Sequence, residues 1–202
     1  GTLLFPERLG DIQNLFNKEK RRNPLLREIR LKPLADQVRD VSDTFIRSVN
    51  WADFQMAGFS ICLCQLTSSL YFIRQIKQTF PDTTIVIGGS SFAGDSYRKL
   101  LHGFPEIDFA VSGEGEQPLS QLIHFLRESG TTERVPDIRG IVSRKISEED
   151  PQVLFSQLSD LKDLPRPDYE DYFHLLNSLG PDGAFFPTLP VEISRGCWWR
   201  SS

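Results

Sequence analysis

Hydrophobic residues recur with a helical period within the first fifty residues. They lie three or four positions apart at Leu34, Val38, Val41, Phe45 and Val49, so they share one helix face. Pro33 suits the first turn of this helix, where a backbone N–H has no intrahelical partner in any case. The pattern predicts a helical segment over residues 1–50.

From residue 56 onward, short apolar runs alternate with stretches of helical spacing. Nearly unbroken runs at Met56–Cys62, Thr84–Ile87 and Ile107–Val111 predict strands that are covered on both faces. Stretches with apolar residues three and four positions apart follow these runs. Strands and helices alternating in this way predict an α/β fold, with a Rossmann-like (flavodoxin-like) parallel sheet, flanking helices and right-handed crossovers.

The pattern changes again after Gly130. Apolar residues at Ile138–Val142 and Val153–Phe155 flank a charged stretch and predict a hairpin. Residues 158–190 contain five prolines and little periodicity, which indicates a linker.

Composition and charge exclude several classes of protein. The chain has 202 residues, of which 39% are hydrophobic, and its 15 Phe suffice for a core. A net charge of -4 argues against nucleic acid as a partner, and the basic run Lys18–Arg22 is interpreted as a solvated helix face. No apolar run is long enough to span a membrane, and no membrane partner is expected.

Cysteine usage and the chain start refine this picture. Three cysteines, an odd number, argue against a disulfide framework and predict a reducing, cytoplasmic location. The sequence begins Gly1-Thr2-Leu3-Leu4, without an initiator methionine or a secretory signal. We expect an excised fragment of a longer protein.

The candidate binding residues follow the predicted strands. Ligands of open α/β sheets bind beyond the carboxyl ends of the strands. Those ends here carry Ser60, Gln65, Thr67 and Ser68; Gly88, Gly89 and Ser90; and Gly113, Glu114, Gly115 and Glu116. Each glycine pair alone is explained by a turn, but three such ends on one rim favour a ligand. Neither a dinucleotide-binding nor a P-loop motif is present, which argues against NAD or ATP.

Part of this set resembles cobalamin-binding domains. Ser60-Ile61-Cys62, followed after 25 residues by Gly88-Gly89, is similar to the S-x-L and G-G elements of that family, with Cys62 in place of the usual Leu. The resemblance implies that the serine and the glycines line the slot for the dimethylbenzimidazole tail. The family's D-x-H-x-x-G motif, whose His binds cobalt, is not found. Either the first strand lies upstream, or the lower face of the corrin has no His ligand.

A longer, ordered set of motifs resembles cobalamin-dependent radical SAM enzymes. It includes Phe104–Glu116, Leu164–Tyr169 and Ser194–Trp199, and is most similar to enzymes of ribosomal-peptide natural-product maturation, some of them C-methyltransferases. The resemblance implies that this chain binds cobalamin. In the full-length protein it implies S-adenosylmethionine, a 4Fe-4S cluster with Cys197 as its first ligand, and a peptide substrate bound by later domains. The usual spacing would put the second cysteine at position 201, where this chain has Ser201.

These observations divide the chain into four parts: 1–50, helical; 51–130, the core of a cobalamin-binding domain; 131–190, hairpin and linker; and 191–202, the start of a radical SAM domain. We expect the cofactor-binding region of a methyltransferase acting on a peptide precursor, inactive as a fragment. Two alternatives stay open: an α/β interaction domain without a ligand, and a cobalamin enzyme that performs a different radical step. Glu114 and Glu116 either accept hydrogen bonds from the corrin amide arms or cap the following helix.

Overall fold

A computed structural model describes residues 3–90, 96–130, 132, 136–145, 155–178, 188–192 and 195. The chain divides into two compact units, Gly1–Gln157 and Leu158–Ser202, and each is described by itself. Within the described residues, no helix combines the length and the apolar character needed to cross a membrane.

The first unit alternates helices and strands as the sequence predicts. Its elements, apart from short 3-10 turns, are α1 (Leu9–Arg22), α2 (Leu31–Ser48), β1 (Met56–Ser60), α3 (Leu66–Thr79), β2 (Thr84–Gly88), α4 (Ser96–Gly103), β3 (Phe109–Val111), α5 (Glu116–Ser129) and β4 (Ile141–Ser143). α5 ends at Gly130, whose φ of 65° is the left-handed conformation that favours glycine.

The four strands form one sheet in the order β1-β2-β3-β4. β1 pairs with β2, and β2 with β3, in parallel, whereas β4 runs antiparallel to β3. The fold is therefore α/β and Rossmann-like, with a mostly parallel sheet and flanking helices. Of the predicted hairpin, Ile141 and Val142 lie in β4, while Val153 and Leu154 lie outside the described residues.

The sheet is covered by apolar side chains on both faces, because neighbouring strand residues point to opposite sides. Ile85 and Ile87 pack with Leu70, Ile73 and Ile76 of α3 and with Leu101 of α4. Val86, Phe109 and Val111 pack on the other side with Leu122 of α5. Helices α3 and α4 thus cover one face, and α5 covers part of the other.

Two polar side chains fix the loop between α4 and β3. The Arg144 guanidinium donates hydrogen bonds to the carbonyls of Leu101, Pro105 and Ile107, at 3.2, 2.6 and 2.7 Å. The Asp108 carboxylate accepts the backbone N–H of Ile85 at 2.7 Å and lies 2.9 Å from the Lys77 ammonium. These contacts hold the start of β3 beside β2.

The face of α2 that is buried is not the face that carries its row of apolar residues. Ser42 and Ile46 are its buried residues, whereas Leu34, Val38, Val41 and Phe45 keep 41, 46, 65 and 52% of their surface exposed. The helix is therefore present as predicted, but its row of apolar residues lies beside the contact with the core. Phe45 touches the Phe72 ring of α3 edge-on, with centroids 6.0 Å apart.

The second unit contains a helix that the sequence did not predict. Glu170–Ser178 form α6, inside the stretch predicted as a linker. Asp168 accepts the backbone N–H of Glu170 at 2.9 Å, which is a local capping interaction. Tyr169 donates a hydrogen bond to the carbonyl of Pro190 at 2.9 Å. The limits of the four sequence regions remain predictions.

Tyr71 makes the stability of the first unit sensitive to alkaline pH. Its hydroxyl donates to Oδ1 of Asp43 at 2.7 Å and so links α3 to α2. Burial, reinforced by this hydrogen bond and by the charge of Asp43, raises the pKa of Tyr71 from 10.0 to about 12. The stabilisation from neutral Tyr71 is therefore complete below about pH 10 and is lost between about pH 10 and 12.

We expect Tyr71→Phe to flatten the alkaline loss of unfolding free energy, because the variant has no hydroxyl to ionise at this position. Urea unfolding at stepped pH measures the effect. Parallel pH profiles for the variant and the wild type would contradict the assignment.

Candidate functional site

A slot opens at the carboxyl ends of the parallel strands, on the face that α5 covers only in part. Its volume is about 390 Å³. The described lining residues come from β1, β2, the end of β3 and the start of α5: Gly58, Phe59, Ser60, Val86, Ile87, Gly88, Gly89, Val111, Gly113, Gly115 and Leu119. All of them belong to the first unit.

The register of β1 against β2 makes the floor of the slot. Gly58 pairs with Val86, and Ser60 pairs with Gly88, so all four residues face the same side of the sheet. A Cβ atom added at Gly58 would meet nothing within 4 Å, and one at Gly88 would lie 3.5 Å from Cβ of Val111. Small residues at three of the four positions therefore leave open space above the strands.

Two other glycines of the slot are required by the conformation and the close packing of the backbone. Gly89 has φ of 111°, and a Cβ there would lie 2.5 Å from the carbonyl oxygen of Ile61. Gly113 has φ of 95°, and a Cβ there would overlap the backbone of Ser156. Both positions need glycine because of conformation and close backbone approach, whether or not a ligand binds.

The walls of the slot are apolar. Val86 on the floor is 3% exposed and Val111 on the wall is 6% exposed, while Leu119 on the wall is half-buried. Of the described lining residues, Ser60 alone has a polar side chain, and none carries a charge. A site of this kind suits a flat, largely apolar group that approaches the strands closely.

Three predicted residues lie in or next to the first turn of α3 and outside the slot lining. Gln65 accepts the backbone N–H of Cys62 at 3.0 Å, and the Ser68 hydroxyl donates to the carbonyl of Gln65 at 2.8 Å. Thr67 and Ser68 instead line a groove of about 210 Å³ with apolar residues of α2 and α3. The structure therefore gives Gln65 and Ser68 local bonding roles at the start of this helix.

The remaining predicted residues surround the slot without lining it. The Ser90 hydroxyl is 3.8 Å from the Cys62 thiol, and both residues are exposed. Glu114 donates its backbone N–H to the carbonyl of Ser156 at 2.8 Å. Glu116 is the first residue of α5, where a carboxylate interacts favourably with the helix dipole.

No histidine is among the described residues that line the slot. His102 lies at the end of α4, His124 is on α5 beside Glu128 at 3.2 Å, and His174 is on α6. Within the described ranges, no group of three or more His, Cys, Asp or Glu side chains could hold a metal ion. Cys197, the predicted cluster ligand, lies outside the described residues.

Sequence reasoning missed Gly58 and the apolar walls. Gly58 interrupts an apolar strand, and an interior strand glycine often marks a place where a ligand or another backbone approaches closely. That position could have been selected from the sequence. Leu119 could not, because its helical spacing with Leu122 and Leu126 is equally typical of core packing.

Comparison with curated proteins finds similarity to the Hopanoid C-3 methylase of Methylococcus capsulatus. The identity is 29% over 178 residues, which cover 87% of this chain and 32% of the relative. The chain thus spans about a third of the length of this distant homologue. No family model matches the chain, and no solved structure matches it.

The two neighbouring glycines at the end of β2 should respond differently to substitution. Gly89→Ala places a side chain at positive φ and against the Ile61 backbone, so we expect a loss of about 2 kcal/mol or more of unfolding free energy. Gly88→Ala meets only ordinary van der Waals contact, and we expect a change within about 1 kcal/mol. Urea unfolding compares the two, and an equal loss would contradict the backbone role of Gly89.

Proposed function

We propose that this chain is the cobalamin-binding region of a radical SAM methyltransferase. The observation that carries the proposal is the slot, in which Ser60, Gly88 and Gly89 come together with the unpredicted Gly58 at the ends of two parallel strands. The resemblance assigns the binding of the cofactor tail to Ser60, Gly88 and Gly89.

The slot fits a planar heterocycle. Gly58 and Gly88 present no side chain above the strands, Val86 offers an apolar contact on the floor, and Val111 and Leu119 offer apolar contact around the opening. Ser60 can contribute one hydrogen bond at the mouth. The ends of β1 and β2 would hold the tail of the cofactor.

Bound cobalamin would supply a cobalt ion that carries a methyl group between a donor and an acceptor. This chain would bind the tail, orient the corrin above the strand ends and exclude water from the apolar slot. None of the described lining residues of the slot is a histidine that could bind the cobalt ion. Both alternatives stay open: a first strand upstream that carries the His, or a lower face without a His ligand.

The relative is named as a methylase, and this name supports methylation over another radical step. The same name gives a hopanoid as its substrate, and nothing in it supports a peptide. A polycyclic lipid is therefore the methyl acceptor that we favour over the peptide expected from the motifs.

The open slot also argues against an interaction domain without a ligand. A binding site no longer in use is under no constraint to stay empty, and a Cβ atom at Gly58 would meet no described atom within 4 Å. The described residues nevertheless leave that space unfilled.

Gly58→Val tests cofactor binding with little risk to the fold. Valine favours strands and meets no atom at Cβ, so we expect unchanged or slightly higher stability. Its methyl groups would project into the slot and lower the affinity for cobalamin about tenfold or more. Titration of the purified full-length protein with hydroxocobalamin, followed by visible absorbance, measures this effect.

Gly10→Val is the matched control, because Gly10 also has open space around its Cβ but lies on α1, which contributes no lining residue. It should leave the affinity unchanged. Failure of the wild-type protein to bind cobalamin would refute the proposal, and so would equal binding by wild type and Gly58→Val.

The methyl acceptor is tested on the full-length protein supplied with S-adenosylmethionine, a reductant and cobalamin. We expect product mass to increase by one methyl group when a hopanoid is offered, and no change with a precursor peptide. Methylation of the peptide alone would reverse our choice of acceptor. A product without added mass would instead indicate a different radical step.

A further inference from the structure

The lining of the slot bears on which corrinoids it accepts. We propose that the slot selects corrinoids by their lower base, accepting benzimidazole-type bases and disfavouring purines. This inference rests on the proposed cobalamin-binding function. The resemblance assigns a dimethylbenzimidazole tail to this slot, and the inference adds that purine bases are disfavoured there.

Among the described lining residues, the side-chain contacts available to a base are apolar except at Ser60. Val86 and Gly88 lie on the floor, while Val111 and Leu119 stand around the opening. The methyl-bearing edge of a dimethylbenzimidazole gains from burial against such groups. The exocyclic amine and ring nitrogens of a purine would lose their hydrogen bonds to water in the same apolar surroundings, and this loss costs binding free energy.

Three backbone groups at the rim of the slot are engaged in hydrogen bonds within the fold. The carbonyl of Gly88 accepts the N–H of Ile61 at 2.7 Å, and the carbonyl of Ser112 accepts the N–H of Ser156 at 3.1 Å. The N–H of Glu114 donates to the carbonyl of Ser156 at 2.8 Å. These groups offer less to the polar edge of a purine than unpaired backbone would.

Ser60 supplies the one polar side chain among the described lining residues, and it is exposed at the strand end. A single hydroxyl satisfies one or two polar atoms, whereas adenine carries an amine and several ring acceptors. With the side chains of the described lining alone, at least one polar atom of a buried purine would be unpaired, and an unpaired polar atom lowers affinity about tenfold or more.

The experiment compares three aquo-corrinoids on the full-length protein: cobalamin, the adenine-bearing cobamide, and cobinamide, which has no lower base. Equilibrium dialysis gives each dissociation constant. We expect cobalamin to bind about tenfold or more tightly than the adenine analogue. Cobinamide should also bind more weakly than cobalamin, since it leaves the slot empty.

Leu119→Gln tests whether the apolar wall causes this preference. The side chain is half-buried and similar in length, and its amide can pair with a purine edge, so the ratio of the two affinities should fall severalfold. Leu126→Gln is the matched control, because Leu126 is also half-buried on α5 but lies outside the described lining. It should preserve the ratio, and urea unfolding of both variants reports their folding.

The outcomes separate this inference from the proposed function. If no corrinoid binds, the cobalamin-binding function itself fails, and the inference fails with it. Equal affinity for cobalamin and the adenine analogue overturns the selectivity while leaving corrinoid binding intact. A preference that Leu126→Gln reduces as much as Leu119→Gln overturns the role of the slot wall.

Discussion

The backbone contact between Gly89 and Ile61 holds the two parallel strands together at the point where the slot begins. The N–H of Ile61 donates to the carbonyl of Gly88 at 2.7 Å, and the positive φ of Gly89 lets the chain turn away against the Ile61 backbone. This contact extends the pairing of β1 with β2 to the last residues of both strands. The register of these strands puts Gly58, Ser60 and Gly88 on one face of the sheet. Because all three residues are small, they leave a cavity above the strands.

The alternation of strands and helices in residues 56–130 was predictable, because buried parallel strands and amphipathic helices have distinct periods. The strand-end glycines were predictable as a group, but their separate roles were not. Gly88 faces the slot, whereas Gly89 and Gly113 accommodate the backbones of Ile61 and Ser156. These roles depend on φ and on distant chain segments, which a Gly-Gly pair in the sequence does not encode.

Other placements depend on local geometry that periodicity does not resolve. A 3-10 turn at Leu63–Gln65 precedes α3, and Thr67 and Ser68 emerge beside α2 rather than above the sheet. The apolar row of α2 fits a helix, but it could not show that Ser42 and Ile46 form the buried contact. The direction of β4 follows from its pairing with β3 and has no counterpart in the spacing of apolar residues.

Folding and ligand binding place separable demands on this site. Gly89 and Gly113 belong to the backbone geometry, so their substitution perturbs the fold and reports little about a ligand. Gly58 has no neighbour within 4 Å of its would-be Cβ, and a strand interior generally gains from a side chain there. The part of the chain that the structure describes therefore gives no steric reason for glycine at this position, whereas the proposed ligand lying flat against β1 would give one.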